Sequence, residues 1–231
     1  MNGINIYKKV RKKINLKYYS VGVKLITNEN KGINSNKDFK VPKNSHRYCE
    51  FVKRASEGEF LKISKEKLSC VTSQIMLGFK KPRKIKMDMR MDLDNLDSVI
   101  LFPLDDFPTK NFDSIVLRVN PKHAMDIIEA YRKVFHKPLE VNWGLYSGIC
   151  SEITASVIKN QDINFSFLCS GSRIYTGFDD CELMCGIYNA LVEKIFKKLI
   201  EISNEREMDL QLVNELDNYE NKNYNKGKIE E

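Results

Sequence analysis

Phe165–Phe178, FSFLCSGSRIYTGF, is the stretch from which the rest of the chain is read. An apolar run over Phe165–Leu168 has strand character and then breaks at Cys169-Ser170-Gly171-Ser172-Arg173. A hydrophobic strand that empties into small and polar residues makes a ledge where backbone N–H groups can face a ligand. A thiol, two hydroxyls and a guanidinium arrive on that ledge within five residues.

Outward from this segment, strands and helices alternate. The first part reads as strand 21–26, helix 46–56, strand 60–63, helix 70–77 and strand 98–102. The second reads as strand 114–119, helix 121–135, strand 139–143, helix 149–158 and strand 164–168. Asn120 is the expected cap of the 121–135 helix, and Pro121 suits its first turn. A long helix is expected over about 179–203, started by the Asp179-Asp180 pair. The pattern predicts an α/β domain over 1–210, built of two similar βαβαβ halves at about 16–103 and 113–178. LKISKEKLSCVTSQIMLG, residues 61–78, lines up with VNWGLYSGICSEITASVI, residues 141–158, placing Cys70 on Cys150. Residues 28–43 read as a loop, and 80–97 as a charged connection. The Asn-, Lys- and Glu-rich 214–231 read as a disordered tail.

With 231 residues, 42% of them hydrophobic, the chain can bury a substantial core. No apolar run reaches the roughly 18 residues of a membrane span, and no apolar segment follows the basic N-terminal residues as in a secretory signal. A cytoplasmic protein is expected. The formal charge of +7 comes largely from the basic clusters 8–17 and 80–86, with acids mixed through the remainder. That distribution suits a solvated surface, an acidic partner protein or an anionic ligand better than a nucleic-acid interface.

There is no Walker loop, GxGxxG, HExxH or GxSxG, and three histidines are too dispersed for a histidine metal site. Six cysteines are the chemical asset. In a reducing compartment they serve metal binding, redox chemistry or packing rather than disulfides. Cys181 and Cys185, spaced i, i+4, read as packed helix residues. Cys49, Cys70 and Cys150 fall near helix starts, which favour thiolate, and Cys169 ends a strand. In an α/β sheet such positions gather along one edge.

Three functions follow from these residues. Cys49, Cys70, Cys169 and Cys150 suit a soft metal or an iron–sulfur cluster, serving electron transfer or metallocofactor handling with a partner complex. Ser170, Gly171, Ser172, Arg173 and Arg47 suit a carboxylate or phosphate on a small molecule. A thiol enzyme with Cys169 as nucleophile needs His46 or His123 brought to it as base. Whether the chain is an enzyme stays open at this level.

The blocks VGVKL, HRYCEFVKRASEGE, LSCVTSQIMLGF, SIVLRVNPKHAM and CSGSRIYTGFDDCELMCGI, in this order, resemble the prokaryotic family called domain of unknown function 169, of archaea and anaerobic bacteria. The likeness runs from about residue 16 to 202. It implies a cysteine after an Arg-containing helix start (Cys49) and another before a helix ending in Leu-Gly (Cys70). It also implies a Cys-x-Gly-Ser-Arg segment (Cys169, Gly171, Ser172, Arg173). A cytoplasmic protein of archaeal or anaerobic metabolism is what the resemblance suggests; it supplies no reaction.

Overall fold

The computed structural model describes residues 5–27, 38–82, 89–91, 93, 95–144 and 147–227, with side chains described to 214. Most of the 28–43 loop and part of the 80–97 connection therefore lie outside the described residues.

Six strands form one antiparallel sheet among the described residues: β1 (Val21–Thr27), β2 (Leu61–Ser64), β3 (Leu96–Pro103), β4 (Ser114–Val119), β5 (Ile163–Ser166) and β6 (Leu183–Tyr188). Their spatial order is β2-β3-β1-β4-β6-β5. Each half is a split unit, in which the third strand inserts antiparallel between the first two. Exchanging β1 with β4, β2 with β5 and β3 with β6 reproduces the same order, so the halves are related by a pseudo-two-fold between β1 and β4.

The side-chain alternation of the strands sorts the helices onto two faces. Ile115, Leu117 and Cys185 point to one core, with α1 (Ile6–Lys13), α4 (Pro121–Phe135) and α7 (Asn189–Gly227) packed over it. Val21, Val23, Val116 and Met184 point to the other. Over that face lie α2 (Tyr48–Ser56), α3 (Val71–Met76), a π-helix at Gly148–Ala155 continued by α5 (Ser156–Asn160), and α6 (Ser170–Thr176). Asn120 caps α4 as the sequence predicts, its side chain accepting the His123 N–H at 2.9 Å.

Several expectations are corrected. Residues 139–143 form no strand. They run beside β5, but Asn164 takes both the N–H and the C=O of Asn142 with its side-chain amide, and the Trp143 indole donates to the Phe165 carbonyl at 2.9 Å. Side chains thus occupy the edge of β5 that a seventh strand would use. The ledge after Phe165–Leu168 is helical, as α6. The helix expected from Asp179 begins only at Asn189, because Leu183–Tyr188 is β6, paired on both sides. The second half therefore ends near 188, and Cys181 and Cys185 do not share a helical face: Cys181 is exposed and Cys185 is buried under α7's face of the sheet. Helix α7 continues to Gly227, so the polar tail forms its last turns before passing outside the described residues.

Topology also moves the internal correspondence. In each half the helix before the second strand is α2 or the π-helix, and the helix after it is α3 or α6. Cys49 therefore corresponds to Cys150, and Cys70 to Cys169, in place of the Cys70–Cys150 match of the aligned strings. The helices pack across the halves in the same sense, α2 on α6 and α3 on the π-helix.

Candidate functional site

Cys49 lies in the first turn of α2, just after Arg47, whose N–H donates to the Glu50 carboxylate at 2.8 Å. Cys70 is the residue preceding α3, and Cys169 the residue preceding α6. Cys150 lies in the first turn of the π-helix, a wide coil that often marks functional sites. Four helix starts, two from each half, thus present a thiol to a single cavity of about 250 Å³. The sequence expected these sulfurs along the carboxyl rim of a sheet. They meet instead in the helical layer over one face, where the halves pack against each other.

Arg47, Ser170, Gly171 and Ser172 line the same cavity, as expected from sequence. Arg173 does not. Its guanidinium donates to the carbonyls of Phe167 at 2.9 Å and Glu182 at 2.8 Å, and to that of Asp179, pinning the turn that leads from α6 to β6. Nearby, the buried Arg118 ties the end of α2 to that turn, reaching Glu57 at 3.2 Å and Glu182 at 2.7 Å beneath the Tyr18 ring. These two arginines hold the frame and leave Arg47 as the cation at the cavity.

Neither histidine offered as a base lines the cavity among the described residues. The His46 ring contacts Glu50 at 3.3 Å and Phe51, and His123 closes the cap of α4 on the opposite face. The lining also lacks carboxylates among those residues.

The thiols differ electrostatically. Burial pushes the Cys150 thiol up, and the nearby sulfurs of Cys70, Cys169 and Cys49 push it further, since negative charges crowd one space. Burial also raises Cys49, partly offset by the hydroxyls of Thr176 at 3.2 Å and Ser172. At Cys169 burial likewise opposes the thiolate. The Ser172 hydroxyl at 3.3 Å and the N–H groups of Gly148, Ser172 and Gly171 outweigh it and hold the group below its ordinary value. In metal-free protein treated with iodoacetamide at neutral pH, Cys169 is therefore expected to react ahead of Cys49 and Cys150, with Cys150 the slowest of these three, as read by peptide mass mapping. Equal rates at Cys169 and Cys150 would contradict this ordering.

Sequence reasoning missed the hydroxyl shell. Thr72, Ser73 and Ser147 line the cavity, and Thr176 reaches Cys49. The visible signal was the company each cysteine keeps, CVTS, SGIC and CSGS.

The family model described as DUF169, uncharacterised ArCR, matches residues 9–96 and 84–198. The chain belongs to the DUF169 family. No curated protein and no solved structure matches it. In this DUF169 chain, no helix among the described residues is long and apolar enough to cross a membrane. Among the same residues, no three His, Cys, Asp or Glu side chains form a ready ligand set for a metal ion.

Proposed function

We propose that this DUF169 protein holds an iron–sulfur cluster, or a comparable polynuclear thiolate-bound metal centre, through Cys49, Cys70, Cys150 and Cys169. In this reading it is a cytoplasmic accessory protein of archaeal or anaerobic metabolism, moving electrons or a metallocofactor for a partner complex.

The observation that supports the reading is the convergence of four cysteines, far apart in sequence, on one small cavity. A single zinc ion would draw four sulfurs to about 2.3 Å from one point, and the sulfurs here do not form such a set. All four instead line one cavity, and a cluster whose several metal atoms each take one thiolate is the centre proposed for it. The setting fits a negatively charged centre: the lining carries Arg47, hydroxyls and N–H groups, and hydrogen bonds to sulfur are a principal control on a cluster's potential. Loading exchanges S–H bonds for S–metal bonds and releases the thiol protons to solvent.

Protein purified and reconstituted with iron and sulfide under anaerobic conditions is expected to be coloured and to carry iron and acid-labile sulfide in stoichiometric amounts. Colourless protein free of iron, sulfide and other metal after both procedures overturns the proposal.

A further inference from the structure

We infer that the mouth of the thiol cavity is a seat for a small anionic molecule, gripped through its carboxylate or phosphate group by Arg47. The seat deepens the preceding reading, since its ligand sits beside the metal centre, but it stands on its own residues.

Arg47 is held ready for such a ligand. Its guanidinium carbon lies 4.0 Å from the centroid of the Tyr175 ring, so the planar fork is stacked and oriented rather than loose in solvent. One terminal nitrogen comes within 3.1 Å of where a Cβ would stand on Gly171, so the absence of a side chain there lets the fork approach the first turn of α6. Four other arginines of the fold are paired with carboxylates, Arg11 with Asp105, Arg54 with Glu59, Arg118 with Glu182 and Arg206 with Asp126, and Arg173 is spent on three carbonyls. Among the described residues the Arg47 guanidinium has no such partner, and no carboxylate lines the cavity it borders. A guanidinium left without a counter-ion beside a cavity of hydroxyls and N–H groups is the chemistry that binds planar or tetrahedral oxyanions, often through two parallel hydrogen bonds.

A second observation lies deeper in the same space. Ser147, 4% exposed, lines the cavity, and its hydroxyl faces the Cys150 sulfur, a weak acceptor, without closing a regular hydrogen bond. A buried hydroxyl with only a weak sulfur neighbour keeps hydrogen-bonding capacity that a bound polar ligand takes up. Arg47, Ser170 and Ser147, all in the lining, thus offer polar contacts to one bound molecule. The whole cavity is about 250 Å³ and the proposed metal centre shares it, which restricts that molecule to a compact metabolite of a few carbons.

The test is calorimetry and thermal shift with two sets of probes, inorganic phosphate in one and malonate and succinate in the other, on metal-free and on reconstituted protein. One set is expected to bind saturably, which tells phosphate from carboxylate. Arg47→Gln is expected to weaken that binding at least tenfold in metal-free protein, roughly the loss of one charge-assisted pair. Tyr175→Leu, on an exposed side chain, is expected to weaken it less, by loosening the fork. Absence of binding in both sets, or equal binding by Arg47→Gln, overturns the seat. Iron-loaded protein without anion binding removes this inference alone. Arg47-dependent binding in protein that never takes up metal removes the metal reading and leaves the seat standing.

Discussion

Cys150→Ser is expected to fold and to lose nearly all bound iron, falling at least about tenfold below the parent, because a hydroxyl is a poor ligand where a soft thiolate is required. Cys150 is 9% exposed and belongs to the cavity wall, so the substitution removes one ligand from the inside without opening the surface. Its cost in stability is modest, about 1–2 kcal/mol for placing a hydroxyl in a buried site. The control is internal. Cys185→Ser changes a fully buried thiol on the other face of the sheet, and Cys181→Ser changes an exposed one. Both are expected to keep their iron. Loss of iron from Cys181→Ser, or its retention in Cys150→Ser, would detach the metal from the cavity. Loading should also strengthen as pH rises. Burial lifts the Cys49 and Cys150 thiols, the metal needs them deprotonated, and each unit of pH toward their raised values lowers the cost of removing those protons.

The four cysteines were legible in sequence because each stands where one element gives way to a helix, and such positions can be read from capping and breaker residues. Their meeting place was legible only in part. An alternating strand–helix pattern suggests a parallel sheet with a common carboxyl rim. The third strand of each half, β3 or β6, is inserted antiparallel between its first two, and that pairing is not encoded in any local stretch. The sheet that results is antiparallel throughout. The boundary of the second half was misplaced for a local reason. LMCGIY is an apolar run continuous with the helical pattern of NALVEKIF, and its cysteine spacing fits a helix as well as a strand. The internal alignment slipped because α4 precedes the π-helix in the second half, and the stretch that would answer to it in the first half falls largely in 28–46. Matching strings by cysteine then skipped one element. The two arginines near the ledge show the same limit. Arg173 looked the better anion ligand by proximity to Cys169, but three carbonyls claim it, whereas Arg47 arrives from the other half of the chain.

Gly186→Ala is expected to be the most damaging glycine-to-alanine change among the described residues. Gly186 sits in β6, paired with Val116 of β4 on one side and Asn164 of β5 on the other, so the strand has no freedom to move sideways. A Cβ there would stand 2.4 Å from the Ile153 carbonyl oxygen and 2.8 Å from a Val157 methyl. The first of these is backbone, in the π-helix, and cannot swing away as a side chain could. Relief needs the π-helix to rise by roughly 1 Å, toward ordinary contact distance, and that helix also packs on β5 and α3. The expected loss is about 3 kcal/mol or more, a fall in melting temperature of roughly 10 °C for a chain of this size, measured by denaturant and thermal unfolding. Gly22 makes a useful contrast. A Cβ there would meet the Phe102 ring at 2.6 Å, but the obstacle is a side chain that can tilt, so a smaller loss is expected. Because the displaced helix carries Cys150, Gly186→Ala should also lower iron loading with all four thiols present. A melting temperature within about 2 °C of the parent would mean that the π-helix does not rest on β6, and that Cys150 is held in the cavity by other contacts.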